Sequence, residues 1–306
     1  MYDALGTTKQ SFHQRMNRWL ENESMAKQVI HMVHQVRIDH PTMGVRDIYF
    51  KLQPDGLGRD AFEAICRSEG LMSIRPKNWA RTTDSSGVIR FDDLTKGLVI
   101  NHIDQVWQSD ITYFDINEKF YYITFIQDIY TKMIVGYNTS SGLSTEETTL
   151  PALKLAIRRR KKDLEGLIFH SDGGGQYYCK KFLELTGVKK IKNSMCEYAW
   201  ENGTVERLNG VIKNNYLKHR QIDCFDDLKK EVDRAVQLYN CDKPHKALKR
   251  KTPQMFEMEL LILQQQPKPK MTKSFDANYQ SQGASSPLQI EATKASESEC
   301  ILCKLV

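Results

Sequence analysis

No stretch of this 306-residue chain is apolar for the roughly 20 residues that a membrane-spanning helix needs. The N-terminus, Met1-Tyr2-Asp3-Ala4-Leu5, has no charged region followed by an apolar run, so no secretory leader is expected. Cysteine is sparse: seven residues, scattered, which fits a reducing cytoplasm better than a disulfide-stapled fold. Cys300 and Cys303 form one CxxC in a polar tail, but zinc needs a second ligand pair and none is near. The final four residues do not make a prenylation box, because Lys304 is not aliphatic. A block of one-signed charge is also missing. The net charge of +6 fits a polyanionic partner, yet it is spread thinly. There are 14 basic against 12 acidic residues in 1–100, 25 against 22 in 101–264, and 5 against 4 in 265–306. Local patches must therefore supply any polyanion contact. Arg158-Arg159-Arg160-Lys161-Lys162 is one such patch, with a solvated helix end as the equal alternative.

Hydropathy and punctuation divide the rest. Residues 1–24 resemble part of a helix-turn-helix: a turn with an N-cap at Gly6-Thr7-Thr8, then a helix with Phe12, Met16, Trp19 and Leu20 on one face. Residues 25–78 read as a small all-α DNA-binding unit. Val29, Met32, Val33 and Val36 share one face, His40-Pro41 breaks the helix, and two short helices follow. Residues 79–100 are a linker without periodicity. Residues 101–264 are the core. Strands are expected at Val106–Phe114, Phe120–Asp128, Lys132–Thr139, Leu167–Ser171 and Val188–Lys192. Helices are expected at Thr145–Arg160, Gln176–Thr186, Ala199–His219, Phe225–Asn240 and Thr252–Leu263. A hairpin trio followed by alternating helices and strands predicts an α/β fold: a mixed five-stranded sheet flanked by helices. Residues 265–306, rich in Gln, Lys, Ser and Pro, read as a disordered tail.

Three acids carry the chemistry. Asp110 lies inside an apolar-aromatic strand, Asp172 follows the short apolar strand Leu167-Ile168-Phe169, and Glu206 lies on an amphipathic helix. Two strand-borne Asp and one helix-borne Glu can converge on a pair of divalent ions, an arrangement suited to phosphoryl transfer on nucleic acid. Mg²⁺ prefers such hard oxygen ligands, with two ions and Mn²⁺ as substitute. Val205, Leu208, Ile212 and Tyr216 form the stripe expected to pin the helix to the sheet. Asn202, Glu206, Asn209 and Lys213 form the opposite polar stripe, where Lys213 suits a DNA phosphate. Any one of these acids alone reads more readily as a solvated or salt-bridged carboxylate. Only the ordered set reverses that reading. His170 is weighed between phosphate or metal contact and a packed strand end, Trp107 is read as core, and Asn202, Arg207, Asn209, Lys243 and His245 are candidate DNA contacts.

The segments Trp107-Gln108-Ser109-Asp110-Ile111-Thr112-Tyr113, His170-Ser171-Asp172-Gly173-Gly174-Gly175-Gln176-Tyr177 and Asn202-Gly203-Thr204-Val205-Glu206-Arg207 resemble the catalytic blocks of OrfB-type insertion-sequence DDE transposases. A fourth block, Tyr239-Asn240-Cys241-Asp242-Lys243-Pro244-His245 with Thr252-Pro253, agrees. Lys243 stands where the family often has Arg, and Leu208 where it has an aromatic. The resemblance spans about residues 25–260 and implies an RNase H-like, retroviral-integrase-like catalytic core. It also implies Mg²⁺ dependence, with Asp110, Asp172 and Glu206 as ligands, and a DNA-holding role for Lys213. The implied reaction is cleavage at transposon ends followed by strand transfer on double-stranded DNA. The expected protein is cytoplasmic, nucleoid-associated when bound to DNA, a homo-oligomer on DNA, and often made as a fusion with an upstream helix-turn-helix and coiled-coil partner. The rival readings are a non-catalytic DNA-binding regulator and a plain RNase H-like nuclease.

Overall fold

The computed structural model describes Tyr2 and residues 6–73, 91–196 and 203–265. The alternation over 106–139 produces an antiparallel meander: β1 (Val106–Ile116), β2 (Lys119–Asp128) and β3 (Ile134–Ser140). β4 (Ile168–Ser171) then pairs parallel to β1, and β5 (Lys192–Met195) parallel to β4. The sheet order is β3-β2-β1-β4-β5, so β1 is central and hydrogen-bonded on both sides.

Period-two alternation sends β1 side chains to two different cores. Trp107 and Ile111 face α4 (Thr149–Arg160) and α5 (Lys180–Val188), in a layer with Leu153, Phe169 and Phe182. Ile116 faces the opposite side, where α6 (Gly203–Asn215) and α7 (Phe225–Gln237) contribute Val205, Leu208, Ile212 and Val232. Gln108 and Asp110 share the parity of Ile116, so Asp110 points toward α6. α8 (Pro253–Gln265) follows.

The helical unit begins with α1, which runs unbroken from Lys9 to Asp39. This crosses the boundary expected at residue 24. Neither Gly nor Pro occurs between Lys9 and Asp39, and Ser24 is no obstacle to a continuing helix. Thr8 caps α1 by accepting from the Ser11 amide at 3.2 Å. The helix stops just before Pro41, whose ring disfavours helical geometry at His40. Only its second half is buried, through Val29, Val33 and Val36. These pack with Ile48 of α2 (Val45–Leu52) and Phe62 of α3 (Arg59–Ser68).

Other boundaries also shift. The fifth strand lies four residues later than expected, because α5 extends to Val188, which is 77% exposed, and Lys190 turns with φ +53°. The helix expected over 176–186 splits into a single turn at Gly175–Tyr177 and α5. α4 starts at Thr149, after turns at 145–148, and α7 ends in a π-helical turn, Leu238–Asp242. Of the expected linker, 91–100 is held against the core: the Leu94 amide donates to Ser194 Oγ at 2.9 Å. Residues 74–90 and the tail after 265 lie outside the described residues, with Cys300 and Cys303 among them.

The basic run at the end of α4 is largely occupied. Arg160 is buried against Asp104 (2.8 Å), Asp128 (3.7 Å) and Glu257, and Lys162 reaches Asp104 at 2.7 Å. This cluster ties α4 and α8 to the start of β1 and the end of β2. Burial pushes the Asp128 carboxyl upward, against hydrogen bonds from the Thr131 and Asp104 amides.

α4 approaches β3 closely because Gly136 has no side chain. A Cβ there would lie 2.3 Å from the Ala152 carbonyl oxygen and 2.8 Å from Ala156 Cβ. Gly136→Ala must push the helix off the sheet, and we expect a loss of about 2–3 kcal/mol in urea unfolding.

Candidate active site

Asp110 sits half-buried on the central strand, on the face covered by α6. Its Oδ2 accepts from Asn209 Nδ2 at 2.7 Å, and its Oδ1 accepts from the Ile111 amide at 2.9 Å. Burial, then the Asp172 carboxylate, and more weakly Glu206, push its pKa up to about 7. Three carboxylates therefore share one electrostatic neighbourhood, and Glu206 exerts the weaker influence of the two neighbours.

Asp172 is exposed just beyond the C-terminal end of β4, next to β1. Its Oδ1 accepts from the Gly174 amide at 3.0 Å. The turn needs glycine at Gly173, where φ is +72° and a Cβ would meet Met195 Sδ at 2.2 Å. Glu206 is exposed in the first turn of α6, a favourable end of the helix dipole for an acid. Among the described residues, no three His, Cys, Asp or Glu side chains already stand close enough to hold an ion. The donor chemistry nevertheless suits one: all three acids offer hard oxygens, and their mutual repulsion is what a cation relieves.

Lys213 also comes to this site. Its Nζ donates to the Tyr113 carbonyl at 3.2 Å and lies 4.9 Å from the centre of the Tyr113 ring. Burial, then Lys218, lower its pKa, while Asp110 opposes the shift. Beside Asp172 an open cleft of about 250 Å³ runs between Thr112-Tyr113 and Gln176-Tyr177. Buried Tyr177 supports it from below, with its hydroxyl 3.0 Å from Ser109 Oγ. Burial, then Asp172 and Asp110, hold that phenol protonated.

Other expected DNA contacts are placed differently. Asn209 is buried and committed to Asp110, so it supports the carboxylate rather than facing a ligand. The polar stripe reading failed there because helix periodicity does not say how close the facing strand comes. His245 packs edge-on against Tyr239, ring centres 4.6 Å apart, with Nε2 3.3 Å from the Tyr239 carbonyl. Burial, then Lys243, depress its pKa to about 3, which leaves it neutral at pH 7 and no cation for phosphate. Lys243 is half-buried, its pKa lowered by that burial, and Arg207 is exposed one residue past Glu206. Asn202 lies outside the described residues. His170 is a packed strand-end residue, 1% exposed and 3.0 Å from Ser194 Oγ. Trp107 is fully buried, donating to Asp104 Oδ1 at 2.8 Å.

The sequence matches a family described as Integrase core domain over residues 101–199, and a second model of the same description over 189–253. The chain belongs to the integrase core domain family. The five-stranded sheet, in the order β3-β2-β1-β4-β5, and the helices flanking it lie within the matched residues. Its relatives are insertion-element proteins. The transposase for insertion sequence element IS629 of Shigella sonnei is 28% identical over 220 residues, covering 70% of each chain. The IS600 uncharacterized 31 kDa protein of Shigella sonnei is 28% identical over 70% of this chain and 81% of its own. A putative IS986/IS6110 transposase of Mycobacterium tuberculosis is 26% identical over 63% of this chain and 72% of its own. Among solved structures, the HTLV-2 integrase catalytic core domain in complex with magnesium aligns with TM-score 0.41 and 21% identity, over 50% of this chain and 96% of that one.

The raised Asp110 pKa has a signed consequence for this integrase core. The folded carboxyl resists ionisation up to about pH 7, whereas the unfolded one ionises near pH 4. The contribution of this carboxyl to stability is therefore full below about pH 4 and is lost as pH rises toward 7. In EDTA, Asp110→Asn should stabilise the protein at pH 8 by up to about 4 kcal/mol, and hardly at all at pH 4. Urea unfolding across pH measures this. A stability gain that is the same at both pH values would refute the assignment.

Proposed function

We propose that this chain is a transposase that cuts DNA at the ends of a mobile element and joins the freed end to a target. Asp110, Asp172 and Glu206 are its proposed metal ligands. One observation carries the reading: carboxylates on the central strand, beyond the adjacent parallel strand and on the helix packed over them fall in one electrostatic neighbourhood. The insertion-element relatives point the same way.

Displacement at phosphorus builds charge on the attacking and leaving oxygens. Two Mg²⁺, or Mn²⁺, held by the three acids would supply the compensating positive charge. The chain's own residues contribute positioning. Asn209 fixes the Asp110 carboxylate, and the backbone of the glycine turn fixes Asp172. Lys213, which lies against the Tyr113 ring, would contact a phosphate of the same strand. Attack by water breaks the bond between phosphorus and the 3′ oxygen and frees a 3′-OH. That hydroxyl then attacks a second phosphodiester and displaces its alcohol. No covalent protein intermediate is required. Holding both ends for joining calls for a multimer on double-stranded DNA, and a fused upstream partner would suit the helical unit.

Purified protein with labelled end DNA and Mg²⁺ should give nicked and joined products. Asp110→Asn, Asp172→Asn and Glu206→Gln should each lose at least about 10³-fold in rate while still binding DNA. Lys213→Ala should weaken binding and reduce the salt slope by about one unit. Binding without products from the wild-type chain, alone and with its upstream partner, would favour a non-catalytic DNA-binding protein.

A further inference from the structure

We propose that His40, in the helical unit, is a positioning residue for the helix that carries Glu206. The proposal rests on the metal-site reading above. The His40 ring is 3% exposed, at the seam where α1 meets the core. Its Nε2 lies 2.6 Å from Asp242 Oδ2, and its Nδ1 lies 3.0 Å from the Tyr216 hydroxyl. A carboxylate only accepts, so Nε2 donates to Asp242, and Nδ1 pairs with the Tyr216 hydroxyl. Lys51 of α2 holds the other Asp242 oxygen. The His40 hydrogen bond first, and Lys51 after it, hold the Asp242 carboxyl down to about 2, so the acceptor stays charged.

Tyr216 is the residue immediately after α6, its amide still bonded to the Ile212 carbonyl at 3.2 Å. It stands ten residues beyond Glu206, about 15 Å along a helix. A helix is stiff over that distance. A tilt of about 4° at Tyr216 displaces the far end by about 1 Å, enough to cost about 100-fold at a reacting centre. Val205, Leu208 and Ile212 hold α6 against the sheet, but apolar contact is non-directional and leaves rotation and slide poorly defined. Hydrogen bonds at a buried end define both. A second link from the same end agrees: Arg220 Nη2 donates to the Ile38 carbonyl at 2.6 Å, in the last turn of α1.

The other side of the network is referenced to the sheet. Asp242 closes the π-helical turn, whose Asn240 brackets the Ile134 backbone at 2.9 and 3.0 Å. Tyr239, in the same turn, accepts from Gln127 Nε2 at 2.9 Å. His40 therefore joins the end of the Glu206 helix to the strand that neighbours Asp110. Mere docking is served elsewhere, by the more exposed pairs Arg234–Asp39 and Arg250–Asp47.

Hydrogen exchange of the full chain, without metal or DNA, tests this at residues 203–215. His40→Ala and Tyr216→Phe should each speed α6 exchange about five-fold, the loss of one hydrogen bond. His40→Gln, which keeps a donor toward Asp242, should restore most of it. Arg234→Ala, which loosens the same seam away from α6, should leave α6 unchanged. Mn²⁺ half-saturation, followed by electron paramagnetic resonance, should rise about five-fold in His40→Ala. Faster exchange confined to residues 9–68, or equal effects from Arg234→Ala, would overturn the proposal. Tyr216→Phe keeps the ring packing and remains informative where His40→Ala does not fold. A wild-type chain that binds no Mn²⁺, while α6 still loosens in the variants, would support the anchor and overturn the metal reading.

Discussion

The structure turns on one unfavourable placement: a carboxylate in the middle of the central strand. Burial and two neighbouring acids raise its pKa to about 7, so its charge is opposed from three sides. The surroundings offset this with a few directed contacts. Asn209 donates to one oxygen and the Ile111 amide to the other. Asn209 is there only because α6 lies close, and α6 lies close because Val205, Leu208 and Ile212 bury against Phe125 and Ile134. Hydrophobic contact sets the height of the helix, and polar contact sets its bearing. The strain that remains is of the kind a divalent cation relieves.

Much of this was legible in the sequence. The alternation over 106–139 located the meander, and the apolar run 167–169 located β4, because both strands have a dry face to satisfy. The spacing on α6 identified Val205, Leu208, Ile212 and Tyr216 as the buried stripe, and all four are buried. The three acids share a neighbourhood. Their roles as ligands still rest on chemistry yet to be measured. What sequence could not show is pairing over distance. Asn209 looked solvent-facing because its partner is 99 residues away. His245 looked like a DNA contact because nothing local reveals that Tyr239 covers it. The fifth strand was misplaced because Val188 is β-branched and apolar yet ends a helix, while Lys192–Met195 earns its register from β4.

The helical unit gives a similar lesson. His40-Pro41 was read only as a helix stop, which it is. The same histidine is also the most deeply buried polar group of that unit, and its two partners lie in the core. A residue that terminates one element is well placed to meet another, since the chain turns there and its side chain is no longer shared with helical neighbours. The basic run at 158–162 shows the converse. It looked like surface, yet Arg160 is enclosed by three acids from three separate segments.

The sequence distances across the seam also govern when this molecule becomes competent. His40 waits for Tyr216, 176 residues later, and for Asp242, 202 residues later. Contacts of such separation form late, because long loops must close first. Emerging from the ribosome, the chain offers its three-helix unit, whose core is local, well before the carboxylates can be aligned. The order of synthesis thus imposes a delay between the appearance of the N-terminal module and the maturation of the acidic site. A chain arrested short of Asp242 would carry all three acids without the turn that His40 pairs with beside the Glu206 helix.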